Sequence, residues 1–448
     1  MFLMNILDSR LIRKIYGLAW PVIIEYFMTS LYTLIDTFFV AKLGVADVAG
    51  LGGGGYIAWM FWVPGFMLTT GVMVLIAQSL GAGKRELARR VYGESVILAL
   101  AISLPVVFLG VLVAEDVVRI VVAGPEVTVK GTQYLVARLL GLPAMYIFFT
   151  VGAALRGAKD TKTPMTVSIL GNIFNIILDP ILIFGLLGLP KLGVFGAGLA
   201  SSLSFYFMLM FYIVLGVKGR LVIMPRIKAL TVETLRKILY LGLPISIERI
   251  LMSGLMLIYV SMIARFGSVS LAAHQIGLRI ESLVFMPGIA FRIATATLVG
   301  HEIGGKNIDK AKEIINTATK LSLMFMSITG FSLVALSWYI PVLFIDNVEV
   351  HRLSTIYLIL AGSSEPGLGV AFAMIGAFHG AGNTLVPVIV SAISNATVRL
   401  GLGWTLGKYY GLGAIGLWTG MFLDVYVRGI VLYVLYRKRF ERFIKVLV

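Results

Sequence analysis

The residues in this sequence that are best suited to chemistry are acidic side chains inside long apolar runs. Asp36 and Asp179 each lie in such a run. Asn172 and Asn175 precede Asp179 at helical spacing, which puts these three side chains on one helix face, and Tyr32 lies one turn before Asp36. A carboxylate at the centre of a bilayer costs free energy, so an intramembrane aspartate is by default a functional candidate.

These residues predict a cation-coupling site formed by Asp36, Asp179, Asn175, Asn172 and Tyr32. Neither aspartate has a cationic partner within a turn in the sequence. Burial without a partner favours the neutral form of a carboxyl group, so each can take up and release a proton. Carboxylate, amide and hydroxyl oxygens also bind Na⁺, with Asp36, Asp179 and Asn175 as its ligands. H⁺ and Na⁺ both remain open, as does a polar contact between helices without a transport role.

A second set of residues is predicted to line a substrate cavity or to form a gate: Pro21, Glu25, Glu248, Met256, Tyr259 and Gln275. Proline interrupts the helical hydrogen-bond ladder and provides a bend point. The two glutamates suit ion pairs that hold one conformation, and methionine adapts to varied apolar ligands. Ordinary packing of the methionine and aromatic side chains is the alternative interpretation.

The elements that must position these residues are membrane-spanning helices. Of the 448 residues 59% are hydrophobic and 13% are charged, whereas a soluble domain is about one-quarter charged. A bilayer-spanning helix needs about 20 mainly apolar residues. Such runs predict an all-α membrane protein with twelve spans, near 15–40, 48–78, 92–114, 132–154, 163–187, 194–217, 236–264, 271–300, 314–340, 352–378, 385–406 and 412–436.

The distribution of charge predicts the topology. The net charge is +16, and the Lys and Arg residues concentrate in alternate loops, as the positive-inside rule expects. We therefore predict a multi-pass protein of the inner or plasma membrane with both termini in the cytoplasm. The basic charge is assigned to lipid headgroups, so no nucleic-acid partner is expected. The chain has no cysteine, twelve helices suffice for a monomer, and no cofactor is predicted besides the coupling ion.

The sequence repeats itself with a constant offset of 223 residues. Pro21 matches Pro244, Glu25 matches Glu248, and Gly157 matches Gly380 in this register. The domains predicted from it are an N-terminal six-helix bundle at 1–217, a basic cytoplasmic linker at 218–236 and a C-terminal six-helix bundle at 237–448. The bundles should be related by a pseudo-twofold axis along the membrane normal. Because Asp36 and Asp179 match Tyr259 and Leu402, only the N-terminal half carries the acidic pair.

Three apparent enzyme motifs fail on inspection. Residues 300–306 fit the spacing of a phosphate-binding loop, but Asn307 stands where Ser or Thr is needed. His301-Glu302 begins a zinc motif that Gly305 breaks. The glycines at 411–416 open a transmembrane helix, where close helix packing explains them. No catalytic constellation remains, so the chain is predicted not to be an enzyme.

The chain resembles the multidrug and toxic compound extrusion (MATE) family over essentially its whole length. The resemblance is carried by Trp20–Gly44 in the first helix, by Ala77–Lys84 after the second, by Leu155–Pro164 before the fifth and by the echo Phe378–Thr384. It implies a V-shaped pair of six-helix bundles. It also implies export of cationic or amphipathic small molecules against inward H⁺ or Na⁺.

The resemblance also implies roles for particular residues. One branch of the family has its coupling aspartates in helices 1 and 5, at positions that Asp36 and Asp179 match. Other branches use a glutamate in helix 7, where this chain has Met252. Two further functions stay open at this point, a flippase for lipid-linked saccharides or other amphipathic lipids and a passive channel. The substrates and the stoichiometry are beyond the sequence.

Overall fold

The structure is a computed structural model that describes residues 9–448, so the first eight residues of the predicted N-terminal domain lie outside it. The described chain is helical throughout, without a strand. Its α-helices are α1 Ser9–Ala41, α2 Val45–Gly81, α3 Arg85–Val121, α4 Pro125–Leu140, α5 Leu142–Gly157, α6 Lys162–Phe184, α7 Gly193–Val217, α8 Val232–Ala264, α9 Ser268–Val284, α10 Met286–Gly304, α11 Ile308–Leu336, α12 Val348–Gly380, α13 Leu385–Ser394 and α14 Ala414–Phe443.

Ten helices of the described residues are long and apolar enough to cross a membrane, and the number is twelve if each of two bent pairs is one span. One of the ten is α13 together with its continuation to Tyr409, which is π-helical at Asn395–Leu402 and Thr405–Tyr409. The all-helical fold and the twelve predicted spans are confirmed.

The two bent spans break at prolines. α4 and α5 meet at Gly141 with an angle of 49°, and Pro143 stands in the first turn of α5. α9 and α10 meet at Phe285 with an angle of 41°, followed by Pro287. Proline lacks an N–H and its ring displaces the preceding turn. Helices α1, α2, α8 and α12 continue through their own prolines.

The described chain forms two compact units. One contains the residues up to Ile23, Gly81–Gly83 and Ile247–Val448, and the other contains Ile24–Leu80 and Lys84–Ser246. We call them the C-terminal unit and the N-terminal unit. Their limits differ from those of the sequence repeats because the first parts of α1 and α8 each group with the opposite half of the chain. The domain boundaries drawn from the sequence stay a prediction.

The same helix contact is made in each unit. A Cβ placed on Gly157 of α5 would lie 2.6 Å from the carbonyl oxygen of Met73 on α2. A Cβ on Gly380 of α12 would lie 2.5 Å from the carbonyl oxygen of Ala296 on α10. Both pairs are related by the 223-residue offset. Small residues at these points let the helix backbones touch, as is typical of helix packing in membranes.

Candidate functional site

A small apolar cluster in the N-terminal unit fixes the site. It joins α1, α4, α6 and α7 through Val40, Tyr134, Ile183, Val194 and Ala197, all of them buried. The polar residues Asp36, Arg138, Asp179 and Ser201 each lie one turn from a member of this cluster. Because successive spans alternate in direction, these four positions lie on the same side of the apolar cluster. The helices therefore bring them into one polar layer.

Glycines allow the close helix packing around this layer. A Cβ on Gly198 of α7 would lie 2.9 Å from the carbonyl oxygen of Tyr134 on α4, and a Cβ on Gly196 would lie 2.6 Å from that of Leu182 on α6. The Ser202 hydroxyl donates to the Ala137 carbonyl at 2.6 Å. The backbone of α7 is thus held against both helices that carry Arg138 and Asp179.

Asp36 and Asp179 are both buried, with 5% and 0% of their surface exposed. Their charges interact with each other and with that of Arg138. Among the described residues, Oδ1 of Asp36 is buried and has no hydrogen-bond partner. Two carboxyl groups enclosed together cannot both carry charge cheaply, so the pair favours uptake of a cation.

Asn175 is the direct partner of Asp179. In one orientation of the amide, Nδ2 donates to Oδ1 of Asp179 at 3.4 Å. In the other, Nδ2 donates to Oδ2 of Asp179 at 3.3 Å while the amide oxygen accepts from the backbone N–H of Ser201 at 3.2 Å. In both orientations the amide donates to Asp179. The second orientation also ties α6 to α7.

Tyr32 and Asn172 complete the predicted set. The Tyr32 hydroxyl is within electrostatic range of Asp36, Asp179 and Arg138. Asn172 is buried, and its Nδ2 has no hydrogen-bond partner among the described residues. The structure thus places Asp36, Asp179, Asn175 and Tyr32 in one cluster, with Asn172 on the same face of α6, and leaves amide and carboxyl atoms free to bind a small ion.

The sequence reasoning missed Arg138. It lies on α4, is 6% exposed, and interacts electrostatically with both aspartates without forming an ion pair with either. Arg138 belongs to α4, whereas the aspartates belong to α1 and α6, so helical spacing within one span does not connect them. Arg138 lies within the predicted span 132–154, where a charged residue is itself a signal of function, and that signal was available.

The described residues contain no group of three or more His, Cys, Asp or Glu side chains suited to a metal ion. A bound Na⁺ would therefore depend on two carboxyl groups supplemented by amide or hydroxyl oxygens and water, which are the hard ligands it prefers. The unpartnered Oδ1 of Asp36 and the amide of Asn175 fit that ligand type.

Residues of the predicted gate and cavity fall in several places. Pro21 is buried in the part of α1 that belongs to the C-terminal unit. Glu25 is buried in the N-terminal unit and accepts from Nη2 of Arg156 at 2.6 and 2.7 Å. Glu248 is half-buried on α8 and interacts with the charge of Arg428. The sequence predicted an ion pair for Glu25, and in the structure its partner is Arg156.

The predicted pocket residues of the C-terminal unit differ in how much of each side chain is exposed. Tyr259 is 1% exposed, packs in the core of this unit and donates to the Leu417 carbonyl at 3.0 Å. Met256 packs on the edge of the same core, and Gln275 is exposed. The structure does not bring these three together on one open surface, and their role in a cavity stays a prediction.

The C-terminal unit has its own buried acids. Asp424 accepts from Arg399 and Arg428, with the shortest N···O distances at 3.0 and 2.5 Å. Glu281 accepts from the Tyr357 hydroxyl. Glu365 is fully buried, and neither of its oxygens has a partner among the described residues. These acids come from positions that do not match Asp36 or Asp179 in the repeat, so the two units carry different polar sites.

The comparisons with known proteins follow the internal repeat of the chain. The model of the MatE family matches residues 21–181 and again residues 244–405. The starts of the two matches are separated by the same 223 residues as the internal repeat, and together they cover more than half of the chain.

Two relatives and one solved structure illustrate the similarity. "Probable multidrug resistance protein NorM" of Thermotoga maritima is 30% identical, over 93% of this chain and 90% of its own length. The protein of the same name from Halalkalibacterium halodurans is 26% identical, over 90% and 88%. The solved structure described as "Crystal structure of MATE in complex with MaD3S" has a TM-score of 0.90 at 24% identity, with 96% of each chain covered.

Proposed function

The chain belongs to the MATE family of membrane transporters, and from that premise we propose that it is a secondary active multidrug exporter. It is a multi-pass membrane protein and not an enzyme. We propose that it exchanges cationic or amphipathic small molecules for H⁺ or Na⁺ entering the cell, across the plasma membrane. The naming of both relatives as multidrug resistance proteins favours drug export over lipid flipping.

One observation carries the proposal. Asp36 and Asp179 are enclosed in the same unit, close enough for their charges to interact. Enclosed negative charge attracts either a small cation or a cationic substrate nearby. A site that serves both must release one when it takes the other, which is the requirement for exchange. Asn175 orients Asp179 for this role through its amide donor.

The chain's own residues perform the exchange by competition. With the aspartates ionised, the N-terminal unit attracts a positively charged compound. Uptake of H⁺ or Na⁺ at Asp36 and Asp179 removes that attraction, so the compound leaves. Because the ion enters down its gradient, each cycle drives export against the gradient of the compound.

Transport in proteoliposomes tests the proposal. The purified chain is reconstituted, and gradients of Na⁺ and of H⁺ are imposed independently. We expect substrate to accumulate against its own gradient when at least one of the two ion gradients is present. If substrate only equilibrates whichever gradient is imposed, the chain is a passive channel and the proposal is wrong.

A further inference from the structure

Two cationic side chains converge on one indole ring in the C-terminal unit. The guanidinium carbon of Arg265, the residue directly after α8, is 5.5 Å from the ring centroid of Trp404. The ammonium nitrogen of Lys408 is also 5.5 Å from that centroid and is 5.8 Å from the ring centroid of Tyr409. The two charges are therefore at most twice 5.5 Å apart. Because the face of an indole ring attracts cations, Trp404 helps to hold both of them.

Packing fixes the backbone that carries these side chains. Trp404 stands between the two π-helical segments that continue α13, and Phe266 packs against it with the ring centroids 6.0 Å apart. A Cβ on Gly407 would lie 3.3 Å from Cζ of Phe266. The N–H of Gly413 donates to the carbonyl of Gly407 at 3.0 Å. The end of α8 and the end of the π-helical stretch are thus held side by side.

Neither cation has an acidic partner in the part of the chain that the structure describes. Along the sequence, the next acids after Arg265 and Lys408 are Glu281 and Asp424, each 16 residues further on. Both acids are already engaged, Glu281 by the hydroxyl of Tyr357 and Asp424 by two other arginines. The positive charge of the two side chains therefore stays uncompensated within the C-terminal unit.

This lack of compensation distinguishes the two cations from other basic residues on the same side of the membrane. The charge pattern predicts that the loop after α8 and the turn before α14 lie outside the cell. Three further basic residues predicted on that side each pair with an acid: Arg119 with Glu115, Lys130 with Asp47 and Arg352 with Glu349. Uncompensated Arg265 and Lys408 instead attract an anion from the surroundings, and both side chains are exposed to it.

Apolar side chains around the two cations indicate what kind of anion fits. Tyr409 and Tyr410 are 74% and 73% exposed, and tyrosine is typical of the membrane–water interface. Ile258 and Leu251 lie two and four turns before Arg265 on the same face of α8, and both are exposed. The acyl chains of a lipid can bury such a face, whereas a soluble anion leaves it in contact with water. The surroundings therefore favour a lipid.

We propose that Arg265, Lys408 and Trp404 form a binding site for the phosphate of an anionic phospholipid in the leaflet at this face. The guanidinium and the ammonium group donate to the phosphate oxygens from two different elements. The indole ring keeps the two cations close to each other, and the acyl chains lie along the exposed apolar side chains of α8. The site belongs to the C-terminal unit, so it requires neither the coupling ion nor the exported compound.

Binding of short-chain phospholipids to the purified full-length chain in an uncharged detergent tests the proposal. Dihexanoylphosphatidylglycerol has an anionic headgroup, whereas dihexanoylphosphatidylcholine has the same phosphate with a cationic group attached. A ligand of the folded state raises the midpoint of thermal unfolding with a concentration dependence that gives an apparent Kd. At low ionic strength, phosphatidylglycerol should bind about tenfold more tightly than phosphatidylcholine. Inorganic phosphate at the same concentration should leave the midpoint unchanged.

Substitutions then assign this preference to the two cations. Arg265→Gln and Lys408→Gln should each weaken phosphatidylglycerol binding by about threefold to tenfold, and the double variant should lose most of the preference. Lys42→Gln is the matched control because Lys42 is the repeat mate of Arg265. It lies 4.5 Å from the ring centroid of Phe38, and no second cation lies over that ring in the described chain. Its loss should leave the affinity for phosphatidylglycerol unchanged.

Three results would overturn the inference. An equal loss of affinity in Lys42→Gln and Arg265→Gln would mean that any exposed basic residue attracts anionic lipid. A folded double variant with the wild-type affinity for phosphatidylglycerol would place the lipid elsewhere. Inorganic phosphate that stabilises the wild type as strongly as phosphatidylglycerol would indicate a site for a soluble anion. No ion gradient and no exported compound enter this measurement, so its failure would leave the proposed export standing.

Discussion

Arg156 on α5 binds Glu25 on α1 with one guanidinium nitrogen, Nη2, placed 2.6 and 2.7 Å from the two carboxylate oxygens. Both side chains are about nine-tenths buried, and both lie in the N-terminal unit. The pair therefore ties α1, just after Pro21, to the end of α5. Its position inside the protein makes its loss costly.

Breaking this pair should destabilise the protein. Arg156→Gln leaves the Glu25 carboxylate buried without its cation, and Glu25→Gln does the reverse, so each should cost about 3–5 kcal/mol. The double variant should cost less than the sum of the two single variants because no isolated charge remains. Thermal unfolding of the detergent-solubilised chain measures this. Glu441→Gln, which removes the exposed pair with Lys312, should leave the midpoint unchanged, and an equal loss there would argue against a special role for burial.

Neutralising either member of the acidic pair should uncouple export. Asp36→Asn and Asp179→Asn each remove one charged ligand of the coupling ion. A buried charged ligand contributes about a few kcal/mol to the binding free energy of the ion. Ion-driven export should fall by about tenfold to a hundredfold. Extrusion of a fluorescent substrate from cells that lack their own pumps is the measurement.

Asp116→Asn is the matched control for these two variants, because Asp116 is an exposed aspartate on α3. It should export like the wild type. Unimpaired export by both Asp36→Asn and Asp179→Asn would mean that the enclosed pair holds helices together without coupling an ion.

Asp424 of the C-terminal unit pairs with two arginines, so its loss should destabilise the protein more than the loss of one of those arginines. Asp424→Asn strands Arg399 and Arg428 together in a buried place, whereas Arg399→Gln leaves the pair of Asp424 and Arg428 intact. We expect Asp424→Asn to cost about 3–5 kcal/mol and Arg399→Gln to cost clearly less. Midpoints of thermal unfolding rank the two variants, and the reverse order would show that Arg399 rather than Asp424 organises the cluster.

The repeat-related glycines should be equally intolerant of a side chain. Gly157→Ala and Gly380→Ala each place a Cβ within 2.6 Å of a backbone carbonyl oxygen on a neighbouring helix. Because backbone cannot move aside easily, each should destabilise the fold by about 1–3 kcal/mol. Gly52→Ala on α2 is the control, since its added Cβ meets nothing within 4 Å. Folding yield and thermal unfolding check this, and a neutral Gly157→Ala would mean that α5 can shift away from α2.

Particular residues show where sequence reasoning reached and where it stopped. Asn172, Asn175 and Asp179 could be placed on one face because helical spacing is a local property of the chain. Arg138 could not be connected to Asp36 in this way, because the two lie on different helices and only the packing of α4 beside α1, α6 and α7 brings their charges together.

The sequence by itself determined the class of the protein, the twelve spans, the duplication and the candidate aspartates. Hydropathy, helical period and the repeat offset depend only on the order of residues along the chain, so they can be derived from the sequence. The tertiary structure alone decided which charges face each other and which prolines break a span. It also placed Arg138 beside the acidic pair and against the rings of Trp62 and Phe205. Those properties depend on the close approach of helices distant in sequence, which glycine contacts and buried ion pairs set in three dimensions.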